Sequence, residues 1–166
     1  IRDYKVTGVQ TCALPICHRD ATDDHSQPPA SPPAQAPPAV SLPPDGLLRL
    51  SPQGLHCPAA DLWIDPWRPV ARALITHGHA DHARPGSGAY WGIGSAEGIL
   101  RRRLGQAIEL HNLSYGQTIR RNGVRISFHS AGHVLGSAQI LLEAAGERWL
   151  VSGDFKRQPE IGRAHV

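Results

Sequence analysis

From Leu47 onward, short apolar runs alternate with polar breaks, a pattern that predicts a sheet-rich domain. Leu47-Leu48-Arg49-Leu50-Ser51 and Asp61-Leu62-Trp63-Ile64 read as paired strands around the Pro52-Gln53-Gly54 turn region, and Ala71 to Thr76 as a buried strand. Arg84-Pro85-Gly86-Ser87-Gly88 breaks the chain, and Ala89-Tyr90-Trp91-Gly92-Ile93 forms a short strand. Ser95 is placed to cap a helix that runs through Leu104 and ends at Gly105. Strands are then expected at Ala107–Leu110, Gln117–Arg120, Val124–Phe128, Gln139–Ala144 and Arg148–Val151, with turns at Asn122-Gly123 and Ala145-Gly146. The fold class is therefore α/β, an α+β sandwich dominated by sheet.

Ahead of this region, Gln27 to Pro44 is crowded with proline. Proline fixes φ and removes a donor, so residues 17–46 are expected to be a disordered Pro-rich linker rather than a folded element. The ends carry another signal. Ala13-Leu14-Pro15-Ile16 can be encoded by a sequence whose reverse complement, read one base along, encodes Ile161-Gly162-Arg163-Ala164. Residues 1–16 and 161–166 look like translated sequencing-library adapters and are set aside as scars. The domain expected to fold is 47–160.

Among the 166 residues, 17 are Lys or Arg and 14 are Asp or Glu. Setting aside Arg2, Lys5 and Arg163 together with Asp3 brings that balance close to neutral, so charge by itself names no partner. Cys17 and Cys57 are far apart with no C-x-x-C spacing and Cys12 lies in the tail, so neither a disulfide framework nor a thiolate zinc site is indicated, and a reducing, cytoplasmic interior is expected. No apolar run approaches the roughly 20 residues that span a bilayer, so no membrane association is expected.

The chemistry is concentrated in His77-Gly78-His79-Ala80-Asp81-His82, directly after the apolar Ala73-Leu74-Ile75-Thr76. Read as extended chain, the segment puts His77, His79 and Asp81 on one face, with His82 brought round by a bend. Imidazole and carboxylate donors without thiolates suit an open site for zinc, and an open site on a metal activates water for hydrolysis. A His-rich loop can also be merely solvated, but this one leaves a buried-strand pattern at once. Two later strand ends offer further ligands: His133 in Ala131-Gly132-His133-Val134-Leu135-Gly136-Ser137-Ala138, and Asp154 in Ser152-Gly153-Asp154. Alone, either would read equally as a turn or capping residue.

Thr76 to His82, Ala131 to Ala138 and Ser152-Gly153-Asp154 resemble the successive metal motifs of metallo-β-lactamase-fold nucleases, in the form found in the mRNA 3′-end processing branch. Gly54-Leu55-His56-Cys57-Pro58, Ile64-Asp65-Pro66-Trp67-Arg68-Pro69-Val70 and His82-Ala83-Arg84-Pro85-Gly86 further resemble bacterial ligase-associated DNA exonucleases. The resemblance runs from about Leu47 to Pro159 and implies the N-terminal half of an αββα metallo-β-lactamase fold, truncated.

What the resemblance implies for the site can be stated by residue. His77, His79 and His133 hold a first metal, Asp81 and His82 a second, and Asp154 bridges the two. Asp81 and Asp154 are the catalytic carboxylates, and Asp65, after the strand Leu62-Trp63-Ile64, orients the metal loop without touching metal. An Asp-Pro turn is the competing account of Asp65. The cofactors implied are two divalent ions, zinc or manganese, and the reaction is hydrolysis of a phosphodiester by a metal-bound hydroxide.

The function expected on this basis is a DNA exonuclease associated with an ATP-dependent DNA ligase in end repair. An RNA-processing endonuclease, another hydrolase of the fold and a metal-binding but inactive fragment are the alternatives. The expected partner is nucleic acid, DNA before RNA. Arg101-Arg102-Arg103 point in different directions on a helix and read as a solvated face, while Arg84, Arg120, Arg121, Lys156 and Arg157 are equal candidates for phosphate contact. Trp67, Tyr90 and Trp91 read as packing residues before base-stacking ones. A half-fold with open strand edges is expected to aggregate.

Overall fold

A computed structural model of the chain describes residues 46–156. The adapter-like tails and the Pro-rich stretch up to residue 45 lie outside the described residues. Within them, ten strands form two sheets, accompanied by one α-helix. The first sheet has six strands in sequence order: β1 (Arg49–Ser51), β2 (Gly54–Cys57), β3 (Leu62–Ile64), β4 (Arg72–Leu74), β5 (Ala89–Ile93) and β6 (Glu109–Leu113). Pairing is antiparallel from β1 to β3 and parallel from β3 to β6. The second sheet is antiparallel throughout, in the order β10 (Glu147–Val151), β9 (Ala138–Ala144), β8 (Val124–Ser130) and β7 (Thr118–Arg121).

The two sheets pack face to face, because alternate residues of each are apolar and point inward. In β9, Ala138, Ile140, Leu142 and Ala144 are buried while the residues between them are half-exposed. They join Leu62, Ile64, Leu74, Ile93 and Phe128 in one core. Each fully buried Leu, Ile or Phe stabilises this arrangement by about 1.5–3 kcal/mol. A second core lies on the far face of the first sheet, where Leu100 and Leu104 of α1 (Glu97–Leu104) pack on Ala73, Ile75 and Tyr90. The α/β class expected from the sequence is the one observed.

Several local expectations are corrected. Gly54–Cys57 is a strand, and it is β2, not β3, that pairs with β1. Its apolar signal is short and interrupted by His56, which the period-two rule passes over. Ser95 lies in a short 3₁₀ turn, Gly94–Ala96, and the N-cap of α1 is Ala96, with no side-chain cap. The C-terminus is as expected, with the Gly105 amide donating to the Arg101 carbonyl. The strand expected at Ala107–Leu110 begins later, at Glu109, and extends to Leu113.

This architecture sets up the site. The loops after β4, β8 and β10 all leave the sandwich at one end, since the Ala138 amide donates to the Thr76 carbonyl at 2.8 Å and the Lys156 amide to the Ala131 carbonyl at 2.9 Å. Among the described residues no helix is long and apolar enough to cross a membrane.

Candidate metal centre

The loop after β4 is not extended. The amides of His82 and Ala83 both donate to the His79 carbonyl, at 3.2 and 2.8 Å, and close a tight turn. Alternation of sides therefore does not govern Asp81, which the turn leaves exposed beside His82. His77, still at the sheet end, is fully buried.

Three distant segments meet at this turn. Nε2 of His77 lies 3.0 Å from Nδ1 of His79, and Nε2 of His133 lies 3.3 Å from the same atom. Oδ2 of Asp154 is 3.5 Å from Nε2 of His133 and 3.8 Å from Nε2 of His77. A tetrahedral cation with bonds near 2.0–2.1 Å needs ligand atoms about 3.3 Å apart. The donor set and its spacing thus fit one divalent ion, and these four residues offer ligand atoms all within 4.8 Å of one another. The other oxygen of Asp154 turns elsewhere. Oδ1 is 3.6 Å from Nε2 of His82, which in turn is 3.7 Å from Oδ2 of Asp81. All six residues singled out as ligands are thereby brought to one place, in two adjoining groups that share Asp154.

Charge is arranged unevenly across the centre. Burial, then the neighbouring His82, pushes the His77 imidazole down to about 4, so it is neutral at pH 7 with a free ring nitrogen to offer. Burial works against a proton on His82 too, but its hydrogen bond to Asp65 and the charges of Asp65, Asp154 and Asp81 outweigh that and raise its pKa. The Asp81 carboxyl is held below its ordinary range, first by a hydrogen bond from its own amide and then by the surrounding histidines.

Asp65 sits behind the centre. Its Oδ1 accepts from the Thr76 amide at 2.8 Å, and its Oδ2 accepts from the Thr76 hydroxyl at 2.5 Å and lies 2.7 Å from Nδ1 of His82. It adopts φ 43 directly after β3, a left-handed conformation that Asp tolerates better than most residues. The Asp-Pro turn and the orienting position are therefore two aspects of one residue.

Sequence reasoning missed the supports. Thr76 is buried and touches Asp65, His77 and His82. The Ser137 hydroxyl accepts from the amides of His133 and Val134, at 2.9 and 3.2 Å, and so holds the His133 loop closed. Gly153, at φ 55, packs so tightly on Thr76 that a methyl group there would come within 2.9 Å. A buried hydroxyl immediately before the first histidine is the one signal of these that the sequence carried.

Among the described residues, the three other histidines are engaged elsewhere. His56 stacks on Trp63, His111 stacks on Trp91 and lies 2.9 Å from Glu109, and His129 lies 2.9 Å from the Ser127 hydroxyl. Tyr90 is wholly buried, with its hydroxyl held by the Ser87 amide and the Arg84 carbonyl. Arg101 is bound to Glu97 and to the carbonyls of Gln106 and Ile108. Beside His133 lies an open cleft of about 430 Å³, lined by Ser95, Tyr115, Ser130, Leu135 and Lys156 among others.

Comparison with known proteins gives this picture a context. No family model matches the chain. It is 37% identical over 106 residues to a probable DNA ligase of Opitutus terrae, covering 62% of this chain and 10% of that protein. It is 38% identical over 52 residues to the cleavage and polyadenylation specificity factor subunit 3 of Dictyostelium discoideum, covering 31% of this chain and 7% of that one. With endoribonuclease YSH1 of Mycosarcoma maydis it shares 26% identity over 129 residues, covering 57% and 15%. The chain thus spans about a tenth of the length of the curated relatives it matches. Among solved structures, the subclass B3 metallo-β-lactamase MEM-A1 from a soil metagenome library aligns with a TM-score of 0.40 and 14% identity, covering 62% of this chain and 53% of that one. The matches to the cleavage and polyadenylation factor and to the endoribonuclease bear out the resemblance, read from the sequence, to nucleases of the 3′-end processing branch.

Proposed function

We propose that this chain is the metal-binding part of a two-metal phosphodiesterase acting on nucleic acid, and that the whole enzyme is a DNA exonuclease working beside an ATP-dependent DNA ligase in end repair. The observation that carries the reading is the division of Asp154, one oxygen toward His77 and His133 and the other toward His82. A carboxylate so placed is what a bridged pair of cations requires. In this reading His77, His79 and His133 hold one ion and Asp81 and His82 the other, with Asp154 between them. Zinc or manganese bound there would lower the pKa of a water and offset the charge of the phosphate oxygens.

The protein's own contribution is orientation and exclusion. His77 stays neutral because it is buried, so its ring nitrogen needs no deprotonation at pH 7. Asp81, with its side chain 64% exposed, and Asp154, at 51%, face the open side from which a strand would approach. The cleft beside His133 suits that strand, with the exposed Lys156 ammonium at its edge to meet a phosphate. The free, buried thiol of Cys57 is compatible with a cytoplasmic setting.

The preference for DNA rests on the 106-residue match to a probable DNA ligase. The shorter matches to a cleavage and polyadenylation factor, and the match to an endoribonuclease, favour a second reading, an RNA-processing endonuclease. End-labelled single-stranded DNA, duplex DNA and RNA, incubated with zinc or manganese and with a longer polypeptide containing this chain, distinguish the two. Progressive shortening of DNA from an end supports the first reading, and cleavage of RNA alone replaces it by the second. Metal uptake with no cleavage of any substrate leaves a metal-binding protein and removes both.

A further inference from the structure

We infer that the Thr76 hydroxyl is a positioning group that fixes which nitrogen of His77 carries the proton and so which nitrogen is free for metal. The inference rests on the two-metal reading above. A hydroxyl has one proton to donate. Its nearest neighbour is Oδ2 of Asp65 at 2.5 Å, an oxygen that can only accept, so the proton is committed there. What Oγ1 presents to Nδ1 of His77, at 3.1 Å, is a lone pair. Two lone pairs at that distance repel, and therefore Nδ1 of His77 carries the hydrogen and donates it. The neutral ring then has its lone pair on Nε2, the atom that faces His79 and Asp154.

His82 is oriented in the same way by the same carboxylate. Its Nδ1 lies 2.7 Å from Oδ2 of Asp65 and 3.4 Å from the Thr76 hydroxyl, which leaves its Nε2 toward Asp81 and Asp154. One hydroxyl and one carboxylate thus serve an imidazole in each of the two groups. Thr76 can do this because it is immobile. Its side chain is buried, its amide donates to Asp65, its carbonyl accepts from Ala138 at the end of the His133 loop, and Gly153 of the Asp154 loop lies against its side chain. All three ligand-bearing segments touch this residue.

The test separates hydroxyl from shape. Thr76→Val keeps the shape and removes the hydroxyl, whereas Thr76→Ser keeps the hydroxyl and removes the methyl. Two quantities are read on the isotopically labelled chain: the protonated nitrogen of His77, from long-range proton–nitrogen spectra of the metal-free protein at neutral pH, and the zinc dissociation constant by chelator competition. We expect Nδ1–H in the wild type and in Thr76→Ser, with zinc affinities within about threefold of each other. In Thr76→Val, where Nδ1 faces a methyl group, we expect a shift toward Nε2–H and zinc binding weakened about 10–100-fold, the usual range for loss of a partner behind a ligand.

Nε2–H in the wild type overturns the inference whether or not any variant folds. So does wild-type affinity in Thr76→Val. Weakening in Thr76→Ser with none in Thr76→Val would show that methyl packing is what matters. Failure of the two-metal reading is recognised separately, as a wild-type chain that takes up fewer than two zinc ions while its His77 spectrum can still be read.

Discussion

Oδ2 of Asp65 lies 2.7 Å from Nδ1 of His82, joining the end of β3 to the turn after β4 across two neighbouring parallel strands. His82 is nearly buried, with its side chain 7% exposed, so this charge-assisted contact replaces most of the hydration that the ring has given up.

Asp65→Asn keeps the shape and an acceptor for the Thr76 amide but removes the charge. We expect zinc affinity to fall about 10–100-fold and stability to urea by about 1–3 kcal/mol, because the buried His82 ring loses its strongest partner. Isothermal titration and urea unfolding report the two effects; unchanged affinity would mean that Asp65 serves the turn alone.

The seven histidines among the described residues should divide sharply. His79→Ala and Asp154→Ala each remove a side chain that two or more others face, and should reduce bound zinc by at least one ion per chain in equilibrium dialysis. His56→Ala, His111→Ala and His129→Ala remove rings engaged with Trp63, with Trp91 and Glu109, and with Ser127, and should leave zinc content unchanged. Lost zinc in the His129 variant would require a different third histidine.

Two glycines should fail in different ways. At Gly136, φ 73, an added methyl would meet Ala96 at 2.4 Å from its Cβ and 2.9 Å from its backbone nitrogen, neither of which can swing aside. Gly136→Ala should therefore lower stability by about 1–3 kcal/mol, read as the urea midpoint. At Gly153, φ 55, the obstacle is Thr76, and relief comes by lifting the exposed Asp154 loop. Gly153→Ala should cost zinc affinity more than stability, and the reverse order would contradict this account.

Acid should destabilise the metal-free chain through His77. The folded ring takes a proton only near pH 4, whereas the unfolded ring takes one near its ordinary 6.5. The unfolded state thus binds the extra proton between these values, and the stability that neutral His77 supplies is complete above pH 6.5 and lost as pH falls toward 4. The full effect is roughly 3 kcal/mol. His82, raised by Asp65, acts in the opposite sense, contributing below its ordinary pKa and fading as pH rises. Urea midpoints across pH 4–7 should therefore drop on acidification, and less steeply in His77→Gln; parallel curves would remove His77 as the source.

Most of the order of secondary structure, and the presence of a cluster of metal-capable side chains, were legible because both are local signals. Alternation along Ala138 to Ala144 marks an inward face whatever that face meets. A run such as His77-Gly78-His79-Ala80-Asp81-His82 keeps four donors within a few residues of each other in any conformation. Spacing alone could not choose between His129 and His133, nor show that Asp154 would turn one oxygen to His133 and the other to His82. Those outcomes follow from the register in which two sheets pack and from the tight turn closed on the His79 carbonyl. The short strand Gly54–Cys57 was likewise decided by its neighbours, since it is held by pairing on both sides rather than by a strong pattern of its own. What the chain determined by itself was which groups are available; their aim, proton positions and mutual distances depend on contacts between segments far apart in sequence, whose energies exist only once the sandwich has closed.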